Sequence, residues 1–199
     1  MSTINGKACV VNNMPVDKVY SNGVQVYGRN MLINTASSAT SGRTVIPGTF
    51  NAIAGAYSRT DSYEQVIAPS SWEFFYRFMI PNFNELYSLI PGETYTLSGR
   101  VSHTVGQLVF RAEYFRDGRY AKSGGTNVSD LGIPTSDGSV FTPFSYTFTV
   151  PVWASGTYFS LQNFYYTEGS LFRFKNMKLE KGNIATPWTP APEDVGVGA

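Results

Sequence analysis

The sequence predicts an all-β fold, a jelly-roll β-sandwich of two antiparallel sheets with a short N-terminal β-hairpin extension. Three observations lead there. Apolar residues recur with a period of two in one segment after another, turn residues punctuate those segments, and no stretch holds a convincing helical period. Strands with one apolar face each need a second sheet, because a single sheet would leave that face wet. At 199 residues the chain has room for one large core. Aromatic residues reach 15% while charged residues are also only 15%, against about 25% charged in a typical soluble domain. A disordered chain shows the opposite balance.

Residues 1–29 read as an attachment segment. Lys7 to Val11, Lys18 to Ser21 and Val24 to Tyr27 are short and β-prone, and Ser21-Asn22-Gly23 is a tight-turn signal, so the last two form a hairpin. Two strands are marginal alone, so this unit must pack on the main domain or on another protein. Cys9, in the apolar run Ala8 to Val11, is expected to be a small buried hydrophobe. Residues 30–185 hold the sandwich. Trp72, Phe74, Tyr76, Phe78 and Ile80 share one face, as do Tyr95, Leu97, Gly99 and Val101, then Leu108, Phe110, Ala112 and Tyr114, and later Phe144, Tyr146, Phe148 and Val150. Two further β-rich runs cover Tyr158 to Tyr166 and Leu171 to Leu179. In the last, Phe172 and Phe174 are out of phase with Met177 and Leu179, which predicts a bulge near Lys175-Asn176. Turns are expected at Pro47-Gly48, Pro91-Gly92, Asp117-Gly118, Ser123 to Gly125 and Asp137-Gly138. Asn82 to Leu89 is the sole helical candidate. Residues 186–199 open as the Pro-rich strap Thr186 to Pro192, in which Trp188 is an anchor, and end in a loose tail over Val195 to Ala199.

The reactive inventory is thin. One cysteine excludes an internal disulfide, and one histidine, His103, reads as a strand-end residue and excludes multi-histidine zinc sites. Phosphate-cradling, dinucleotide and zinc motifs are absent. With 15 Lys+Arg against 14 Asp+Glu and a net charge of +1, nucleic acid is not an expected partner. No apolar run is long enough to span a membrane and the first residues lack a secretory signal, so neither a membrane partner nor export by that route is expected.

The ending Lys178-Leu179-Glu180-Lys181-Gly182 through Thr186-Pro187-Trp188-Thr189-Pro190-Ala191-Pro192-Glu193-Asp194 resembles a signature of carbohydrate-binding jelly-roll modules in bacteriophage tail and baseplate proteins. Asn30-Met31-Leu32 resembles their opening, and Tyr95 to Val101 their central strand, so the likeness spans about residues 30–194. It implies a galactose-binding-like sandwich on the virion of a phage infecting a Gram-positive host, binding host cell-wall polysaccharide and other tail or baseplate proteins. Related secreted jelly rolls often hold a structural calcium near their first and last strands. Here the matching last-strand position is Asn176, and Asn30 to Gly42 contains no acid, so no cofactor is expected and calcium is disfavoured.

Saccharide recognition calls for flat aromatic surfaces against sugar C–H faces and planar polar side chains for vicinal hydroxyls. The face opposite the core offers both: Glu73, Phe75 and Arg77 on one strand, Arg111 and Glu113 on another, and Tyr158 and Gln162 if Phe159 and Leu161 point inward. The competing account makes these ordinary ion pairs on a solvated sheet, with Phe75 and Phe115 covered by a loop. Tyr57, Tyr63, Tyr120 and Trp153 form a rival rim site. The expectation is a non-catalytic adhesion module; the alternative is a virion protein that meets only other virion proteins. A glycosidase would need two carboxylates across a cleft, and Glu73 with Glu113 is the pair to test.

Overall fold

In the computed structural model, residues 7–12, 14–32, 45–47, 57–60, 62–68, 74–79, 89–121 and 126–195 are described. In chain order the strands are β1 (Val10–Val11), β2 (Met14–Pro15), β3 (Lys18–Ser21), β4 (Val24–Gly28), β5 (Val45–Pro47), β6 (Tyr57–Arg59), β7 (Glu64–Ile67), β8 (Phe74–Met79), β9 (Thr94–His103), β10 (Gln107–Arg116), β11 (Arg119–Tyr120), β12 (Thr126–Asp130), β13 (Thr142–Thr149), β14 (Gly156–Phe164) and β15 (Leu171–Lys181). One sheet runs β11-β10-β14-β8-β5, with β12 beside β11 on the same edge of β10; the other runs β13-β9-β15-β7-β6. Every pairing is antiparallel. The fold is a jelly-roll β-sandwich.

The period of two decides what the sheets bury. Tyr95, Leu97 and Val101 of β9 and Leu108, Phe110, Ala112 and Tyr114 of β10 are all core residues. Phe110 bridges the layers, stacking on Tyr146 at 4.2 Å and meeting Phe148 at 5.5 Å. Burial pushes the Tyr114 phenol up to about 12. The bulge falls where the phase slips: pairing of β15 with β9 shifts between Lys175 and Lys178, with Asn176 at φ +53°. His103 ends β9 in the core, its Nε2 2.9 Å from the Ile133 carbonyl.

The hairpin β3–β4 turns through Asn22 and Gly23, both at positive φ as a two-residue turn of this hand requires. The chain then stitches itself to its own end. Asn30 is buried and donates to the carbonyls of Met177 and Thr189, while its Oδ1 accepts from the amides of Leu32 and Leu179. Beside it, Lys178 and Glu180 are fully buried on the outer side of β15 under the strap. Lys178 Nζ reaches Thr186 Oγ1 at 2.7 Å and the Pro187 carbonyl at 2.9 Å, and Glu180 accepts from the Thr186 amide and hydroxyl, each at 2.8 Å. Gly28 donates its amide to the same Thr186 hydroxyl. A methyl at Gly28 would run into Glu180 Oε2, which Thr186 already holds. Gly28→Ala is therefore expected to lower stability by about 1–3 kcal/mol, read as a fall in the thermal midpoint.

Several expectations change. Cys9 is only partly buried, because β1 is two residues long and Val11 beside it faces solvent. Val195, expected in the loose tail, belongs to a short 3-10 turn, Pro192–Val195, that closes the strap where Glu193 pairs with Arg29, and residues 196–199 lie outside the described residues. Pro47 is the last residue of β5, and Gly48, its partner in the expected turn, lies outside the described residues. The helix candidate at 82–88, the Ser123 to Gly125 turn, and Trp72 and Ile80 lie outside the described residues; Leu89 is buried without helical structure.

Candidate functional site

The site is built from the outer face of the six-stranded sheet. β10 pairs with β14, and β14 with β8, so three strands far apart in sequence become neighbours. Register then sets which positions share a face, since directly opposed residues do. One row reads Phe75, Gln162, Val109, Asp130; the next Arg77, Ser160, Arg111, Val128; the third Met79, Tyr158, Glu113, Thr126. Six of the seven residues expected at the site thus occupy positions in three adjacent rows, on the side opposite Leu161 and the other core residues. Glu73 lies outside the described residues, and the described part of Phe75, Arg77, Tyr158 and Gln162 is their backbone.

The described side chains make a polar floor with a covered corner. Arg111 Nε lies 3.1 Å from Glu113 Oε1, two residues along the same strand, and both side chains are partly buried. The pair runs along one strand and not across two. Val109, on the same face, is buried, so the floor is not a uniformly solvated surface. Asp130 accepts from the Gly132 amide and from Gln107 Nε2, and these two bonds hold its carboxyl below the usual carboxylate range. Asp130 and the half-exposed Val128 were missed at the sequence level because β12 carries a single apolar residue, too little to show alternation. Such a floor offers a guanidinium, two carboxylates and an aliphatic patch, the mixture that vicinal hydroxyls and sugar C–H faces require.

The rim aromatics separate. Tyr120 meets Phe115 edge-on at 6.0 Å, and Trp153 lies 4.7 Å below the Arg116 guanidinium. Phe115 is thus partly covered by its own turn. An open depression of about 440 Å³ lined by Arg116, Asp117, Arg119, Tyr120 and Ala121 sits at that end. Tyr63 is instead on the outer side of the five-stranded sheet beside Phe141, and Tyr57 lies in β6 with its side chain outside the described residues. The three described rings do not form one site. Among the described residues no group of three or more His, Cys, Asp and Glu side chains gathers where a metal ion could be held, and Asn176 sits in the bulge. No described helix is long and apolar enough to cross a membrane.

No family model matches the sequence, and no curated protein matches it. Solved structures do. The tripod from the baseplate of bacteriophage Tuc2009 matches 85% of this chain and 61% of its own at 20% identity, with a TM-score of 0.50. The CBM22-1 xylan-binding domain from Paenibacillus barcinonensis Xyn10C matches 76% of this chain and 94% of its own at 12% identity, also with a TM-score of 0.50. It is a likeness of fold. Tailspike protein 4 of bacteriophage CBA120 is similar over 70% of this chain but 18% of its own length, at 12% identity and a TM-score of 0.46. The chain therefore spans less than two thirds of both phage proteins. Its structural neighbours are jelly rolls of carbohydrate-binding modules and of phage tail and baseplate proteins.

Proposed function

We infer that the chain is a non-catalytic saccharide-binding module of a phage tail or baseplate, holding the virion to polysaccharide of the host cell wall. The observation that carries this reading is the register of β8, β14 and β10, which gathers the positions of Phe75, Arg77, Tyr158, Gln162, Arg111 and Glu113 on one face. Two fold neighbours support it: one is a xylan-binding domain and the other a baseplate protein. Binding at one such face is weak, and many copies on a particle raise it to useful avidity. The outer side of the N-terminal hairpins, with Met14 70% and Val24 64% exposed, favours a second role as the side that meets other virion proteins.

The test is binding of the full chain to a glycan array and to purified wall polysaccharide of Gram-positive bacteria. Arg111→Ala is expected to weaken the best saccharide about tenfold, as loss of a charged hydrogen-bonding group does. No binding to any saccharide or wall fraction, with firm binding to a tail protein, would sink the adhesion reading in favour of a purely structural protein. Reducing-sugar release that disappears in Glu113→Gln would overturn the non-catalytic part.

A further inference from the structure

The bulge at Asn176 divides the outer face of the five-stranded sheet into two unlike halves. Beyond it, Lys178 and Glu180 are sealed under the strap. Before it, Arg100, Arg173 and Lys175 stand on two adjacent strands, with Lys175 directly opposite Arg100. Like charges in opposed positions destabilise a sheet, and a protein that held them for stability alone would interleave carboxylates. Among the described residues none of the three makes an ion pair.

They are held by neutral groups instead. The Arg173 guanidinium lies 4.8 Å over the Tyr63 ring, and donates to Gln65 Oε1 at 3.1 Å and to the Gly138 carbonyl at 2.7 Å. Lys175 Nζ lies 4.1 Å over the Phe141 ring, and Arg100 donates to the Phe141 carbonyl at 3.1 Å. The two rings are themselves in contact at 5.7 Å. Rings and carbonyls orient the three cations without neutralising them. The nearby carboxylate that feels Arg173, Asp137, is turned to Ser139. Lys175 and Arg100 are the last pair before the register shifts, so they stand at the edge of the bulge, and bulges commonly re-aim side chains at sites.

We propose that Arg100, Arg173 and Lys175 form a second binding site, on the sheet opposite the first, for the anionic groups of a polysaccharide bearing carboxylates or phosphodiesters. The polymer class rests on the saccharide-binding reading; the anion preference rests on these three residues alone. With a net charge of +1 the chain has no general attraction for polyanions, so the preference is local and suits a sparsely charged chain.

The experiment measures binding of the full chain to polygalacturonate, to poly(glycerol phosphate), to neutral xylan and to single-stranded DNA, at low and high salt. The wild type is expected to bind at least one of the two anionic polymers, and which one identifies the anion. The double variant Arg100→Ser/Lys175→Ser is expected to weaken that binding about tenfold or more, as high salt does, with only a small change in thermal midpoint because relief of the opposed charges offsets the lost contacts to Phe141. Wild-type affinity in the double variant, no binding to either anionic polymer, or equally tight binding of DNA would overturn the proposal. Failure of the first site shows separately, as neutral-saccharide binding that is absent or unchanged in Arg111→Ala.

Discussion

Replacing Lys178 by Met is expected to destabilise the fold by about 3–5 kcal/mol at neutral pH, because it strips the partner from a carboxylate buried beside it. Lys178 Nζ and Glu180 Oε2 are 3.8 Å apart, neither side chain is exposed, and both are tied to Thr186. The loss is a large fraction of the stability of an ordinary domain. The pair also gives the fold a signed pH dependence. Burial pushes the Lys178 ammonium down to about 8 from 10.5 and raises the Glu180 carboxyl above 4.5. For a lysine with a depressed value the unfolded chain binds more protons, so stability rises as pH rises from about 8 towards 10.5. For a carboxyl with a raised value the contribution is present below 4.5 and is lost as pH climbs through the folded value. Urea unfolding across pH is expected to show both limbs in the wild type. In Lys178→Met the alkaline rise disappears, and the deficit shrinks towards acid as Glu180 becomes neutral. A variant as stable as the wild type at pH 7, or one that keeps the alkaline rise, would contradict the burial of this pair.

Asn30→Ala is the second large effect. One carboxamide satisfies two carbonyls and two amides drawn from the opening segment, the last strand and the strap, and the residue is fully buried. Alanine leaves those groups without that partner in a place water does not reach. At about 1–3 kcal/mol for each unsatisfied group, and with partial relaxation, the expected loss is about 3–5 kcal/mol in urea unfolding. Asn30→Asp should fare no better, since it keeps the acceptors, removes both donors and adds a buried charge. A loss below about 1 kcal/mol in Asn30→Ala would show that the stitch contributes little.

These two residues also show where sequence reasoning reaches and where it stops. The alternation in β9, β10 and β13 is local, so their core faces and the bulge in β15 were legible from spacing alone. The motifs resembling phage modules were legible as motifs, but their role was not: Asn30 and the Lys178 to Glu180 run act as the clasp between the two ends of the chain. Charges at alternate positions of a strand read as solvated, and only the strap packed over them reverses that. Likewise the outer-face positions could be assigned strand by strand, whereas the neighbour relation of β8, β14 and β10 depends on pairings between residues about 40 to 90 apart in sequence. Cys9 misled because a short apolar run looks the same in a core and at a partly open edge.

Saccharide bound across β8, β14 and β10 would perturb the amides of those strands, which chemical-shift mapping of the full chain reads during titration with the best neutral saccharide from the array. The largest changes are predicted at residues 74–79, 107–113 and 156–164, and they should weaken together in Arg111→Ala. Changes confined to the Arg116 to Ala121 turn, with the three strands unperturbed, would contradict that binding.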